Sequence, residues 1–240
     1  MNKNLNFPVN YPKNGPFELL DKCPLIAQWA QRIDPSLKIE KVDVVTADSF
    51  GKRIGYIEAD IYYVANNHHH KERIVLTGQS CMTCVLLRCK ETNELFTVLV
   101  HQPRFGCGKI MYECPAGMME FNEIDHRVTA SRELFEEVGI ECKPDDLIEL
   151  SKIYRPSVPF NFIDHSHYDE EVFFYLYMNT VSKEYILSFE GKKCGCEADE
   201  QITLHVIPFN DIWKYANEPA TLAVQLMVNE LFERGELHWG

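Results

Sequence analysis

Gly117–Ile140, GMMEFNEIDHRVTASRELFEEVGI, joins a glycine-led loop to the run Arg132-Glu133-Leu134-Phe135-Glu136-Glu137-Val138-Gly139-Ile140, which organises its charges as a helix. Residues three and four apart share a helical face, so Glu133, Glu136 and Glu137 converge on one stripe. Like charges held that close repel unless a cation sits among them. Hard oxygen donors of this kind suit Mg²⁺ or Mn²⁺, ions that also bridge phosphate oxygens and stabilise charge building up at phosphorus. Arg132 reaches Glu136 one turn on. Ala130, Leu134 and Val138 fall on the neighbouring face and can anchor the helix in a core, and Gly139 can supply the left-handed residue that ends it. An acidic stripe alone is most often a solvated helix face. Against that bland reading stands the whole string: a glycine, Glu123, then R-E-apolar-x-E-E-x-G-apolar.

The string resembles the Nudix box, G-x5-E-x7-R-E-U-x-E-E-x-G-U with U aliphatic, and carries every fixed residue type. One spacing departs from it. Eight residues, not seven, separate Glu123 from Arg132, so the loop entering the helix is one residue longer, a change loops absorb more cheaply than helices do. Upstream, His101-Gln102-Pro103-Arg104 and Glu113-Cys114-Pro115-Ala116-Gly117 resemble the Q-x-R and E-L-P-A-G segments of Nudix enzymes that split ADP-ribose and other nucleoside diphosphate sugars. The flanks add Phe50–Gly55, Asp169-Glu170-Glu171, Leu187–Gly191, Val206-Ile207-Pro208 with Ile212-Trp213, and a closing amphipathic helix. Together they are similar to plant-type ADP-sugar diphosphatases over nearly the whole chain.

That resemblance implies an α/β protein, a Nudix-type α/β/α sandwich with a mixed sheet (76–240) behind a small N-terminal β-rich hairpin domain (1–75). It implies metal-dependent hydrolysis of a nucleoside diphosphate sugar, ADP-ribose or ADP-glucose favoured, to a nucleoside monophosphate and a sugar phosphate. Metal ligands would be Glu133, Glu136, Glu137 and the Ala116 carbonyl; Gln102, Arg104 and Glu113 would bind substrate, Arg104 as a planar fork for diphosphate oxygens. Glu136 and Glu137 would serve the chemistry together with a proton acceptor. Residues able to take the proton include His165, His167, Asp169 and Glu170 in the 155–170 loop and the 197–200 segment; the resemblance favours Glu170 or Glu171, of which strand alternation turns only one inward. A homodimer through the N-terminal hairpin is expected. The alternatives are a UDP-sugar or other nucleoside-diphosphate-linked substrate, or a sensor that binds such a ligand without turnover.

The rest of the chain agrees with these expectations. A formal charge of −12 and no basic patch argue against a nucleic-acid surface, and no apolar run is long enough for a bilayer. Nine cysteines without a signal peptide read as reduced cytoplasmic thiols. Cys81 and Cys84 lie in an apolar segment and read as buried strand residues, not a metal or redox pair. His68-His69-His70 reads as a solvated hairpin tip. Residues 1–17 read as an extended lead. Helices are expected over 24–32, 210–216 and 219–234, the last packing through Leu222, Leu226, Val228 and Leu231. Strands are expected over 41–46, 53–64, 81–89, 95–101, 110–113, 147–154, 171–178 and 202–208, with Gly51 in the first turn. Phe50, Phe105 and Trp29 could stack on a base, but as aromatics they read first as core.

Overall fold

A computed structural model describes residues 5–12, 17–20, 22–50, 53–121, 123–158, 160–162, 164, 166–195 and 202–239. The chain separates into two compact units, Met1–Gln79 with Phe162–Glu171, and Ser80–Asn161 with Val172–Gly240.

The first unit is a four-stranded sheet in the order β1-β2-β3-β4, with β1 (Val9–Asn10), α1 (Phe17–Leu20), α2 (Leu25–Arg32), β2 (Lys38–Phe50), β3 (Arg53–Ala65) and β4 (His68–Leu76). Part of the expected lead therefore has structure: Val9 and Asn10 pair in parallel with Val42 and Asp43. The expected turn at Gly51 lies outside the described residues. The histidine run is not a loop. Asn66 and Asn67 turn the chain with φ of 53° and 61°, as a two-residue hairpin turn requires at both central positions, and His68, His69 and His70 pair with Ala65, Val64 and Tyr63. They remain exposed, as a solvated reading demands.

Phe162–Glu171 joins this unit through polar contacts. The Asp169 carboxylate accepts from the Thr77 and Gly78 amides at 2.6 and 3.1 Å and from Arg32 Nη2 at 2.6 Å. Arg32 Nη1 also lies 3.0 Å from Glu171.

On the sheet itself, Asp60 accepts a fork from Arg73 at 2.8 and 3.1 Å and faces Lys71 Nζ at 2.9 Å. The Arg73 hydrogen bonds, aided by Lys71, hold its carboxyl down at about 2. Because the folded value lies below the unfolded one near ~3.9, the stabilisation is present above about pH 4 and is lost as pH falls through about 2. Both cations are half exposed, so screening leaves about 1 kcal/mol. Urea unfolding at pH 7 and pH 2 should therefore show Asp60→Asn weakening the first and hardly changing the second; an equal loss at both would refute the assignment.

The second unit is built on a sheet whose main path runs β11-β5-β6-β13-β12. Its elements in chain order are β5 (Gln79–Cys89), β6 (Leu95–Arg104), β7 (Lys109–Glu113), β8 (Ala116–Met118), α3 (His126–Val138), β9 (Ile148–Glu149), α4 (Leu150–Tyr154), β10 (Asn161–Phe162), β11 (Glu171–Val181), α5 (Lys183–Leu187), β12 (Lys193–Cys194), β13 (Ile202–Pro208), α6 (Ile212–Tyr215) and α7 (Pro219–Glu233). Strand alternation divides the apolar residues between two cores. Cys81, Val85, Leu87, Val98 and Val100 pack with Ala130, Leu134 and Val138 of α3. Met82, Cys84, Leu86 and Leu99 pack on the opposite side with Ala220, Val224, Val228 and Leu231 of α7. Helices on both faces of one sheet make the expected α/β/α sandwich.

Three expectations are corrected here. The 147–154 stretch is a two-residue strand followed by a helix; Ser151 uses its hydroxyl to accept the Phe174 amide at 2.8 Å, work a strand would have given to a carbonyl. Helix α7 packs through the expected Val228 and Leu231, with Leu222 in part, and also through Ala220, Thr221 and Val224, whereas the expected Leu226 is 68% exposed. Phe105 is 91% exposed, at the tip of the β6–β7 hairpin where no layer covers it. Cys81 and Cys84 are buried as expected, in separate cores, so they cannot share a metal. Burial, with Glu133 and Glu123 nearby, pushes the Cys81 thiol well above its usual value.

Candidate functional site

Strands β5 and β6 pair only from Leu86 to Arg88 and Leu95 to Thr97. Beyond that they diverge, and the chain between Lys109 and Met118 fills the gap. β7 lies along β6, Val100 facing Glu113 and His101 facing Tyr112, while β8 lies along β5, Met82 facing Ala116 and Ser80 facing Met118. Cys114 and Pro115 carry the chain from one edge to the other. Thr83 N–H bonds the Pro115 carbonyl at 2.9 Å, so that rung of the ladder is hydrogen-bonded. At the next rung the peptide groups of Ala116 must then face away from β5. The Ala116 N–H meets the Glu137 carboxylate at 2.8 Å.

Helix α3 presents the acidic stripe. Asp125 caps its start by accepting from the Arg127 amide at 3.0 Å. Gly139 ends it with φ of 80°, its N–H bonding Phe135 O at 2.8 Å and that of Ile140 bonding Leu134 O at 3.4 Å. Ala130, Leu134 and Val138 are fully buried, as the sequence predicts. Glu137 is 6% exposed, and Glu133 and Glu136 are half-buried. Arg132 Nη1 donates to both Glu133 at 2.6 Å and Glu136 at 2.9 Å, and its Nη2 donates to Met118 O at 3.1 Å. Gly117 lies beside Glu133 so closely that a Cβ there would overlap its carboxylate.

Across the longer loop before α3, Glu123 still reaches the helix. Its carboxylate accepts from Thr129 Oγ1 at 2.6 Å and Glu120 N–H at 2.8 Å and stands 3.7 Å from Arg132 Nε. The helix carrying Glu133, Glu136 and Glu137 runs unbroken from His126 to Val138.

Gln102, Arg104 and Glu113 come together on the α3 side of the sheet, since Val100 belongs to the core beneath α3 and alternation carries that face to Gln102 and Arg104. Arg104 grips Glu113 with Nε at 2.9 Å and Nη2 at 2.6 Å, and Gln102 donates to the same carboxylate at 3.4 Å. Glu170 is half-buried and Glu171 is 2% exposed, bonded by Gln79 at 2.7 Å and ion-paired with Arg32. Strand alternation thus turns Glu171 inward. His165 and residues 197–200 lie outside the described residues. Trp29 belongs to the wall of a cavity of about 350 Å³ within the first unit, with Arg32, Leu37, Ile74 and Tyr168. Sequence reasoning did not reach Thr221, whose buried hydroxyl holds the Cys114 amide at 2.9 Å; a contact across so much chain leaves no local signal.

A profile of the NUDIX domain matches residues 79–223, the stretch that contains all of α3 and most of the sheet. The chain belongs to the Nudix family. Nudix hydrolase 14, chloroplastic, from Arabidopsis thaliana is 34% identical over 185 residues, 75% of this chain and 59% of that protein. Methanol dehydrogenase activator from Bacillus methanolicus is 35% identical over 104 residues, 43% of this chain and 53% of that protein. The chain thus spans less than two thirds of the length of each of these relatives. A crystal structure of an ADP compounds hydrolase superposes with a TM-score of 0.53 at 13% identity, covering 83% of this chain and 99% of that one; at this identity the likeness is one of Nudix fold. Among the described residues no helix is long and apolar enough to cross a membrane.

Proposed function

We propose that this Nudix protein hydrolyses the diphosphate bond of a nucleoside diphosphate sugar, ADP-ribose or ADP-glucose first, to a nucleoside monophosphate and a sugar phosphate, with Mg²⁺ or Mn²⁺. One observation carries the reading: three carboxylates of α3 share a stripe beside Gly117, whose missing side chain leaves the Glu133 carboxylate its place. The hydrolase named as a relative and the Gln102-Pro103-Arg104 and Pro115-Ala116-Gly117 segments support it.

The donor set fits a hard divalent ion: carboxylate oxygens of Glu133, Glu136 and Glu137 with the Ala116 carbonyl, whose peptide faces away from β5. Among the described residues no three acidic, histidine or cysteine groups converge as a ready cage. Glu133 and Glu136 are instead turned onto one nitrogen of Arg132, a cation already standing between like charges. Holding a metal would require that Arg132 release those two carboxylates, Glu133 keeping the space that Gly117 leaves it. When bound, such an ion neutralises diphosphate oxygens and lowers the pKa of a coordinated water.

The chain's own groups do the rest. Glu113 fixes the plane of Arg104, half exposed and shaped to meet diphosphate oxygens two at a time. Gln102 adds an amide. Glu137, tied to the Ala116 N–H, keeps helix and turn in register. For the proton acceptor the resemblance leaves Glu170 or Glu171, of which Glu171 is bonded by Arg32 and Gln79. Both leaving groups are phosphates, so positioning and charge stabilisation suffice.

Phosphate release through a coupled phosphatase, with ADP-ribose, ADP-glucose and UDP-glucose and with or without Mg²⁺, tests the proposal. Metal-dependent turnover of an ADP-sugar is expected. Preference for UDP-glucose would move the base assignment, and binding without turnover of any of the three would make the protein a sensor.

We further propose a homodimer through the N-terminal sheet, where the β4 edge carries exposed His68, His69, His70, Lys71 and Glu72. Light scattering should give twice the 27.9 kDa chain mass; a single-chain mass removes the dimer. The eight described cysteines are all free thiols, which suits the reducing cytoplasm we expect.

A further inference from the structure

The Cys114–Gly117 turn is held from three directions. Pro115 O accepts from Thr83 of β5 at 2.9 Å, Ala116 N–H donates to Glu137 of α3 at 2.8 Å, and Cys114 N–H donates to Thr221 Oγ1 of α7 at 2.9 Å. The first two follow from the strand ladder and the Nudix helix. The third does not. Thr221 is on the opposite side of the sheet from α3, in the first turn of α7, and is fully buried.

Register explains why this contact exists. The β5–β8 pairing, Met82 to Ala116 and Cys81 to Gly117, continued by one hydrogen-bonded rung at Thr83 and Pro115, sets Cys114 opposite Cys84 at a rung without ladder bonds. The Cys114 peptide therefore faces away from β5, as that of Ala116 does. It is also buried, at the point where β7 has ended and β8 has not begun. A buried N–H there needs an acceptor from another element. The start of α7 supplies it from a fixed position: Glu218 caps that helix, accepting from Ala220 N–H at 2.6 Å and Thr221 N–H at 2.5 Å. Only Pro115 separates Cys114, which Thr221 holds, from Ala116, whose carbonyl would face the metal.

We infer that Thr221 is a positioning residue for the metal-binding turn. Its hydroxyl fixes the Cys114 peptide, and so sets the place at which the Ala116 carbonyl meets the carboxylates of α3. This rests on the functional reading above. A valine has the same shape as threonine and keeps the packing of α7, but leaves the Cys114 N–H without its acceptor. The turn can then relax toward solvent or water, and the carbonyl moves off its mark.

Three proteins decide it: wild type, Thr221→Val and Thr221→Ser, with Mn²⁺ binding read directly from the electron paramagnetic resonance of the free ion, and with kcat and KM at saturating Mg²⁺. Groups that orient metal ligands typically change affinity by about 10–100-fold. Thr221→Val should raise the Mn²⁺ dissociation constant about tenfold and lower kcat with KM held within about twofold, and Thr221→Ser should restore both. A role confined to stability would lower Tm and leave Mn²⁺ affinity of the folded protein unchanged. That result overturns the inference, as does a serine variant no better than valine. Should the valine variant fail to fold, Thr221→Ala carries the same comparison. A wild type that binds no Mn²⁺ sinks both this inference and the functional reading; wild-type binding with an unaltered valine variant sinks this inference alone.

Discussion

Glu137→Gln is expected to lower turnover of the proposed nucleotide sugar by about 10³-fold and to leave the fold intact. Residues that merely orient metal ligands change affinity or rate by about 10–100-fold, so losing a proposed ligand's charge should exceed that range. The fold survives because glutamine keeps the shape of the side chain and retains an oxygen for the Ala116 N–H that Glu137 accepts at 2.8 Å. What it loses is negative charge at the most buried carboxylate of the stripe. The amide can still join turn to helix, but its NH₂ would face a cation with the wrong polarity. Thermal unfolding should move by no more than a few degrees, since burying a neutral amide costs less than burying an ion. Excess Mg²⁺ should recover little of the rate. Full activity in this variant would mean that the chemistry does not run through the α3 stripe at all.

How much of this was readable beforehand depends on the range of the interaction. Within α3 everything needed was local: period 3.6 set the faces, Gly139 set the end, and Arg132 reached Glu136 as its spacing predicts. The strand pairs of the second unit followed from apolar runs, because both faces of β5 are buried. Errors arose where local rules competed. Asn66-Asn67 carries the positive-φ signal of a two-residue hairpin, but three histidines beyond it look like loop composition and hid β4. In 147–154, Leu147, Leu150 and Tyr154 fit a helical spacing as well as the strand alternation assumed. The tertiary bonds from Tyr154 Oη to Met227 O at 2.6 Å and from Phe174 N–H to Ser151 Oγ at 2.8 Å accompany the helical choice. On α7 the expected Val228 and Leu231 are buried and Leu222 packs in part, but Leu226 is exposed while the smaller Ala220, Thr221 and Val224 meet the core. Contacts such as Arg32 with Asp169 and Thr221 with Cys114 join residues more than a hundred positions apart; no periodicity encodes them.

Gly117→Ala is expected to separate function from stability more cleanly still. Gly117 does not adopt a left-handed backbone conformation, so alanine meets no torsional penalty and should gain about 0.4–1 kcal/mol through the less flexible unfolded chain. Its methyl group, however, would occupy the place of the Glu133 carboxylate. That carboxylate is the end of a flexible side chain, so it can swing away without disturbing the core under Leu134, and Arg132, already bonded to it at 2.6 Å, can follow. The protein therefore stays folded while one proposed ligand is displaced. We expect Mn²⁺ affinity and kcat to fall about a hundredfold, with Tm equal to or slightly above wild type. The mechanism makes a sharper demand through a double-mutant cycle with Glu133→Gln. If the methyl group acts only by moving that carboxylate, adding Gly117→Ala to Glu133→Gln should cost almost nothing further, because both changes remove the same interaction. Additive losses would place the role of Gly117 elsewhere in the turn, and unchanged Mn²⁺ binding in Gly117→Ala would remove Glu133 from the ligand set.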